Sequence, residues 1–199
     1  MHRSLLKSTP QGKAQYRTWG FTIYRTAYSS SSEEQWLSLK EKIYRHIRRD
    51  IESLKEKNDA LVGLILGLLR LDFRSDAAPL DNAGMDQLRQ EYKEATGGVP
   101  MNADEPNYRV FLVVDEESMA SIMDKEPWIK CVQVDYDAAQ YVPKNRRVGG
   151  QRYYGWMKMN ASSVFGLWEQ LTDRDLYEIA PPTIGGFHLV VWDPDGWLV

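Results

Sequence analysis

The spacing of apolar positions changes several times along this chain, and each change marks an element. From Gly20 to Tyr28 the chain is rich in aromatic and β-branched residues, and Phe21, Ile23 and Arg25 alternate with Thr22, Tyr24 and Thr26, which predicts a pleated strand. Four serines follow, and Ser32 with Gln35 has capping-box spacing for a helix starting at Glu33. In that helix Trp36, Leu39, Ile43, Ile47 and Leu54 fall within one arc at about 100° per residue, leaving Lys42, Arg45, Arg48, Arg49 and Glu52 elsewhere.

Leu61 to Phe73 is apolar enough for a buried strand, favoured to end in Leu69 to Phe73, although two glycines leave helix open for its first half. A second helix is predicted from about Asp81 to Ala95, stopped by Gly97-Gly98. Tyr108 to Val114 reads as a buried strand, Asp115 as the N-cap of a short helix through Met123, and Trp128 to Tyr136 as the returning strand. Beyond a polar loop from Ala138 to Gly150, Tyr153 to Met159 reads as strand, Ser163 to Leu171 as helix, and Phe187 to Trp192 as a last strand before the turn at Asp193-Pro194-Asp195-Gly196.

This order predicts an α+β chain: a ferredoxin-like split βαβ sandwich with helices on one side, the second helix in an insertion, and an added C-terminal strand-helix-strand segment. Residues 1–15 are polar and unpatterned and read as a flexible lead-in to a single domain at 16–199, since no internal linker is long enough to divide it.

Charge narrows the partners. Lys and Arg number 25 against 28 Asp and Glu, a net charge of −3, so no general attraction draws the chain to nucleic acid or acidic lipid. The longest apolar run, Ala60 to Leu69, falls well short of the roughly 20 residues that span a bilayer. One cysteine, Cys131, permits no intrachain disulfide, and the N-terminal apolar pair Leu5-Leu6 is too short for a secretory signal, so a cytoplasmic setting is expected. Three histidines and one cysteine, well separated, predict no metal site, and no phosphate-cradling or nucleophile motif implies a cofactor.

The string Trp19 to Tyr28 followed by Trp36, together with Gly155-Trp156-Met157-Lys158-Met159 and Phe165-Gly166-Leu167-Trp168, resembles a broad group of uncharacterised proteins of filamentous fungi. The resemblance implies a fungal intracellular protein and carries no activity or site residue with it.

Candidate chemistry gathers at four places. Asp50 projects into the apolar arc of the long helix with His46 at its edge, four residues away, an arrangement that raises a histidine pKa and orients it as a base; bending of the helix, or an arginine from another element, is the structural alternative. His188 lies in an otherwise apolar strand, as a catalytic base or a satisfied core histidine. Cys131, Gln133, Asp135 and Asp137 share one face of a strand, as an acid and base pair or as a solvated surface. Lys144 to Tyr154 is the one basic cluster with adjacent aromatics, where Arg146, Arg147, Arg152 and Tyr154 suit an anionic planar ligand or simply face water.

These readings converge on a protein that binds a small organic ligand, anionic at the basic loop, with cofactor-independent acid/base chemistry of the dehydratase, isomerase or cyclase type as a further expectation. The alternative is a non-catalytic interaction module anchored by exposed Trp and Tyr. A homodimer is compatible with either.

Overall fold

The computed structural model describes residues 6–8, 14–29, 32–54, 59–143, 151–181 and 190–194. His188, Arg146 and Arg147 lie outside them. Within the stretch read as a lead-in, β1 (Leu6–Ser8) pairs antiparallel with β2 (Ala14–Tyr16).

The main sheet is built on β3 (Thr22–Arg25), the strand predicted from the first alternating stretch. It is followed by α1 (Ser32–Glu52), α2 (Asp59–Leu68) and β4 (Asp72–Arg74). The apolar run that favoured a strand is thus mostly the helix α2, with Val62 and Ile65 buried and Asp59 placed where the helix N-terminus favours a negative charge. A short run apolar on all sides fits a buried helix as well as a buried strand, and here the helix prevails. Its backbone is tied to the sheet entry, where Trp19 Nε1 donates to the Ile65 carbonyl at 2.7 Å. Gly20 makes that approach possible: its φ is +132°, and a Cβ there would stand 1.8 Å from the Arg70 carbonyl oxygen.

β4 pairs directly and in parallel with β3, whose other neighbour is β5 (Val110–Val114), also parallel. A split βαβ unit requires another strand between β3 and β4, so the ferredoxin-like order is corrected to an unsplit βαβ at this edge. Beyond β5 come β6 (Trp128–Gln133) and β7 (Trp156–Asn160), each antiparallel to its predecessor, and then β8 (Val191–Trp192), parallel to β7. Among the described residues the order is β4-β3-β5-β6-β7-β8, a mixed six-stranded sheet in an α+β chain, in which β6 runs against the other five. The C-terminal strand-helix-strand segment is β7, α7 (Val164–Gln170), α8 (Leu176–Ile179) and β8.

Helices cover both faces, which corrects the one-sided layering. Phe21, Ile23, Leu112, Cys131 and Met159 pack toward α1, α2 and α7, where Trp36, Ile43 and Trp168 complete the larger core. On the other face Tyr24, Phe111, Val113 and Val132 meet Leu80, Leu88 and Tyr92. These last come from α3 (Ala77–Leu80) and α4 (Met85–Glu94); α4 is the helix expected over 81–95, starting later at Met85, and α3 is a separate turn before it, cut off where Asn82 adopts a φ of +55°. The short helix predicted after Asp115 is α5 (Glu116–Ser121), with the Asp115 carboxylate accepting from Ser118 N at 3.0 Å.

Since β3, β4, β5, β7 and β8 point one way, their carboxyl ends share one edge of the sheet. Open sheets of this kind place ligands along that edge.

Candidate functional site

Along the carboxyl edge, beside β7 and β8, lies a cleft of about 440 Å³. One wall is α1. Its buried stripe is Trp36, Leu39, Ile43, Ile47 and Ile51, and Lys42, His46 and Arg49 form the adjacent stripe at i, i+4 and i+7, which therefore faces the cleft. The opposite side is the connection from α5 to β6, carrying Lys125 and Glu126. Lys42 Nζ donates to the Ile122 carbonyl at 2.7 Å and holds this connection against α1.

The end of the cleft is made where β7 and β8 stop. Asn160, the last residue of β7, caps a 3-10 turn at Ala161–Ser163, accepting at Oδ1 from Ser162 N at 2.9 Å and from Ser162 Oγ at 2.8 Å. Ala161 N donates to the Pro127 carbonyl at 2.8 Å, so the turn is bonded to the far wall. Asp193, next after β8, accepts from Ser163 Oγ at 2.8 Å. Gly166 makes room for this seat, since a Cβ there would come within 2.8 Å of Pro194 Cγ.

His46 is the group in the α1 wall whose ordinary pKa lies near neutral pH. Its Nδ1 is sealed from solvent without a hydrogen-bond partner. Burial pushes its pKa below the ordinary histidine value, and Arg49, Arg45 and Lys42 add to that effect against the opposing charge of Asp50. This reverses the raised pKa expected from the sequence. Burial outweighs the charge of Asp50, whose Oδ1 accepts from Arg49 Nε at 3.2 Å and from Nη2 at 3.1 Å and does not bond His46. Each four-residue step from Ile43 through Ile47 to Ile51 turns the buried stripe by about 40°, so Ile51 takes the inner position and Asp50 moves to the margin. The His46 and Asp50 pair is thus a base without its orienting carboxylate.

The other candidates are placed elsewhere. Arg152 and Tyr154 precede β7 and so stand toward the opposite end of that strand from the cleft; both are exposed, and the Tyr154 hydroxyl donates to the Gln151 carbonyl at 3.1 Å. Whether Arg146, Arg147 and His188 join them falls outside the described residues. Asp135 and Asp137 lie beyond the end of β6 and do structural work. Asp135 is held well below the usual carboxylate range, first by the hydrogen bonds of Arg109, while Asp137 caps α6 (Ala138–Tyr141) through Ala139 N at 3.0 Å. Cys131 is buried, which pushes its thiol far above the ordinary value and leaves it unreactive.

A second cleft, of about 360 Å³, opens at the carboxyl end of β4 around Tyr24, Asp72, Arg74 and Glu91. Its guanidinium is already occupied: Arg74 donates to Asp72 at 2.9 Å and to the carbonyls of Thr96 and Gly98 at 2.6 and 2.8 Å. Burial pushes the Tyr24 hydroxyl up to about 12, so it stays protonated. The first cleft is the better candidate, because its cations stand beside a histidine.

Lys42, Arg49, Lys125, Asn160 and Asp193 were not singled out from the sequence as a site. They are scattered over 152 positions of the chain, and only the fold gathers them. The 3.6-residue period of α1 does place Lys42 and Arg49 beside His46, and that was the available signal.

No family model, curated protein or solved structure matches the chain. Among the described residues, no three His, Cys, Asp or Glu side chains gather as metal ligands, and no helix is long and apolar enough to cross a membrane.

Proposed function

We propose that this protein binds a small organic anion in the cleft between α1, the α5–β6 connection and the ends of β7 and β8. The observation that carries the reading is the convergence of Lys42, Arg49 and Lys125 around His46 in one concave site. Three cations against Glu126 and Asp193 favour a ligand whose negative group faces α1 and Lys125. A hydroxyl or amino group at its other end suits the acceptor oxygens of Asp193. His46, held neutral at pH 7, is available there as a proton acceptor for cofactor-independent acid/base chemistry. The single buried thiol supports a reducing, cytoplasmic setting.

The competing reading, a docking module with Trp and Tyr anchors, has less behind it. The described tryptophans are buried or half-buried, and the exposed tyrosines of the described residues, Tyr44, Tyr154 and Tyr177, stand on α1, before β7 and on α8.

Thermal denaturation with added sulfate or glutarate tests the reading. Both anions should raise the melting temperature of the native chain in proportion to the logarithm of concentration, and Lys125→Glu should abolish the rise while leaving the ligand-free melting temperature nearly unchanged. Equal stabilisation of Lys125→Glu and native protein, or of neither, overturns it.

A further inference from the structure

Asn160 is 6% exposed, yet only half of its carboxamide is used. Both bonds from Ser162 go to Oδ1. An amide whose oxygen is fixed in this way must turn its NH2 in the other direction, so the orientation of Nδ2 is set before any ligand arrives. Nδ2 donates to no described residue, and unlike His46 Nδ1 it is not sealed from solvent. The residue lines the cleft, so this donor is presented there.

An oriented neutral donor at the buried end of a site differs from the charged groups of α1 and the α5–β6 connection. Lys42, which also bonds the Ile122 carbonyl, Arg49, which also bonds Asp50, and Lys125 attract a compact anion by charge alone. Asn160 asks for one particular atom, an acceptor oxygen. Because Oδ1 is committed to Ser162, Asn160 receives no proton from a ligand, so an acceptor-only oxygen matches it better than a hydroxyl does; with Asp193 in the same lining, an uncharged carbonyl suits this neutral donor better than a second carboxylate, which the Asp193 charge would repel.

Resting on the anion-binding reading, we infer that the ligand class of the cleft is an oxo acid: a carboxylate for the cations, and a carbonyl oxygen that accepts from Asn160 Nδ2. Asn160 is then the residue that sets specificity. Sites built to hydrogen-bond a particular ligand atom discriminate strongly against the analogue that lacks it, because the buried group is left unpaired.

The test compares 2-oxoglutarate, glutarate and sulfate as probes in titration calorimetry, on native protein and on Asn160→Asp. Aspartate caps a turn as well as asparagine and keeps the acceptor for Ser162, so the fold should hold while the donor is lost. The native protein should bind 2-oxoglutarate at least about tenfold more tightly than glutarate, and N160D should lose that preference. Should N160D fail to fold, Asn160→Ser retains a capping oxygen without the amide and is read in the same way. Equal affinity of the native protein for the two diacids, or a preference that survives removal of the amide, overturns the oxo-acid inference and leaves anion binding standing when sulfate still binds. If none of the three probes binds, the anion-binding reading itself falls, and this inference with it.

Discussion

Asp50 turns its carboxylate to Arg49, the next residue back, and leaves His46 Nδ1 without a partner although the two residues are one helical turn apart. The geometry separates two roles that the helical wheel had joined. Asp50 is a partly exposed charge in a neighbour pair of the kind that contributes little, and His46 is a neutral imidazole in the wall of a cationic cleft.

Asp50→Asn should therefore change stability by no more than about 0.5 kcal/mol, as expected for an exposed pair. It should also lower the His46 pKa further, because the one charge opposing burial and the neighbouring cations is removed. Chemical denaturation measures the first and a proton NMR titration of the histidine C2–H the second. A loss of several kcal/mol would mean that Asp50 is a buried partner after all.

The same depressed pKa sets the sign of a pH effect. A histidine that binds protons less readily when folded than when unfolded gives stability in full above its unfolded pKa, about 6.5, and this stability is lost as pH falls below that value toward the lower folded pKa. His46→Gln should remove this part of the acid-side decline, so the melting curves of native and H46Q protein should converge as pH is lowered through about 6. Parallel curves would mean that the imidazole titrates freely.

Lys130 and Lys158 face each other across β6 and β7, an arrangement that ordinarily destabilises a sheet. Glu117 answers both, at 3.0 and 3.9 Å, while Lys130 also reaches Asp115 and Lys158 lies 3.9 Å from the centre of the Trp128 ring. Burial tends to raise the Asp115 pKa, but the Lys130 hydrogen bond, with those of Ser118, overcomes it and holds the carboxyl below its ordinary value. Lys130→Met leaves the half-buried Asp115 carboxylate with Ser118 but without its ammonium and should cost on the order of 3 kcal/mol in urea denaturation. A loss under about 1 kcal/mol would show that water takes over the role of the ammonium.

The sequence carried much of the element order and less of its arrangement. Alternation placed β3, and the arc from Trp36 to Ile47 placed α1, because one buried face imposes one period. The run at Leu61 was ambiguous for the opposite reason: a segment apolar on every side has no period to read. Strand adjacency was not legible, since βαβ units that place β4 beside β3 or one strand away share the same order of elements. For the site, the sequence singled out His46, though with Asp50 rather than Arg49, while Asn160 and Asp193 owe their place to the carboxyl ends of β7 and β8, which only the sheet defines.

The central claim is that the cleft beside His46 receives an organic anion, and the His46 C2–H resonance, assigned by its disappearance in H46Q, observes that cleft directly. Adding glutarate near pH 6 should shift this resonance saturably and raise its titration midpoint, because a bound carboxylate favours the protonated ring. A His46 signal that neither moves nor changes its midpoint at saturating glutarate, 2-oxoglutarate and sulfate would contradict the account.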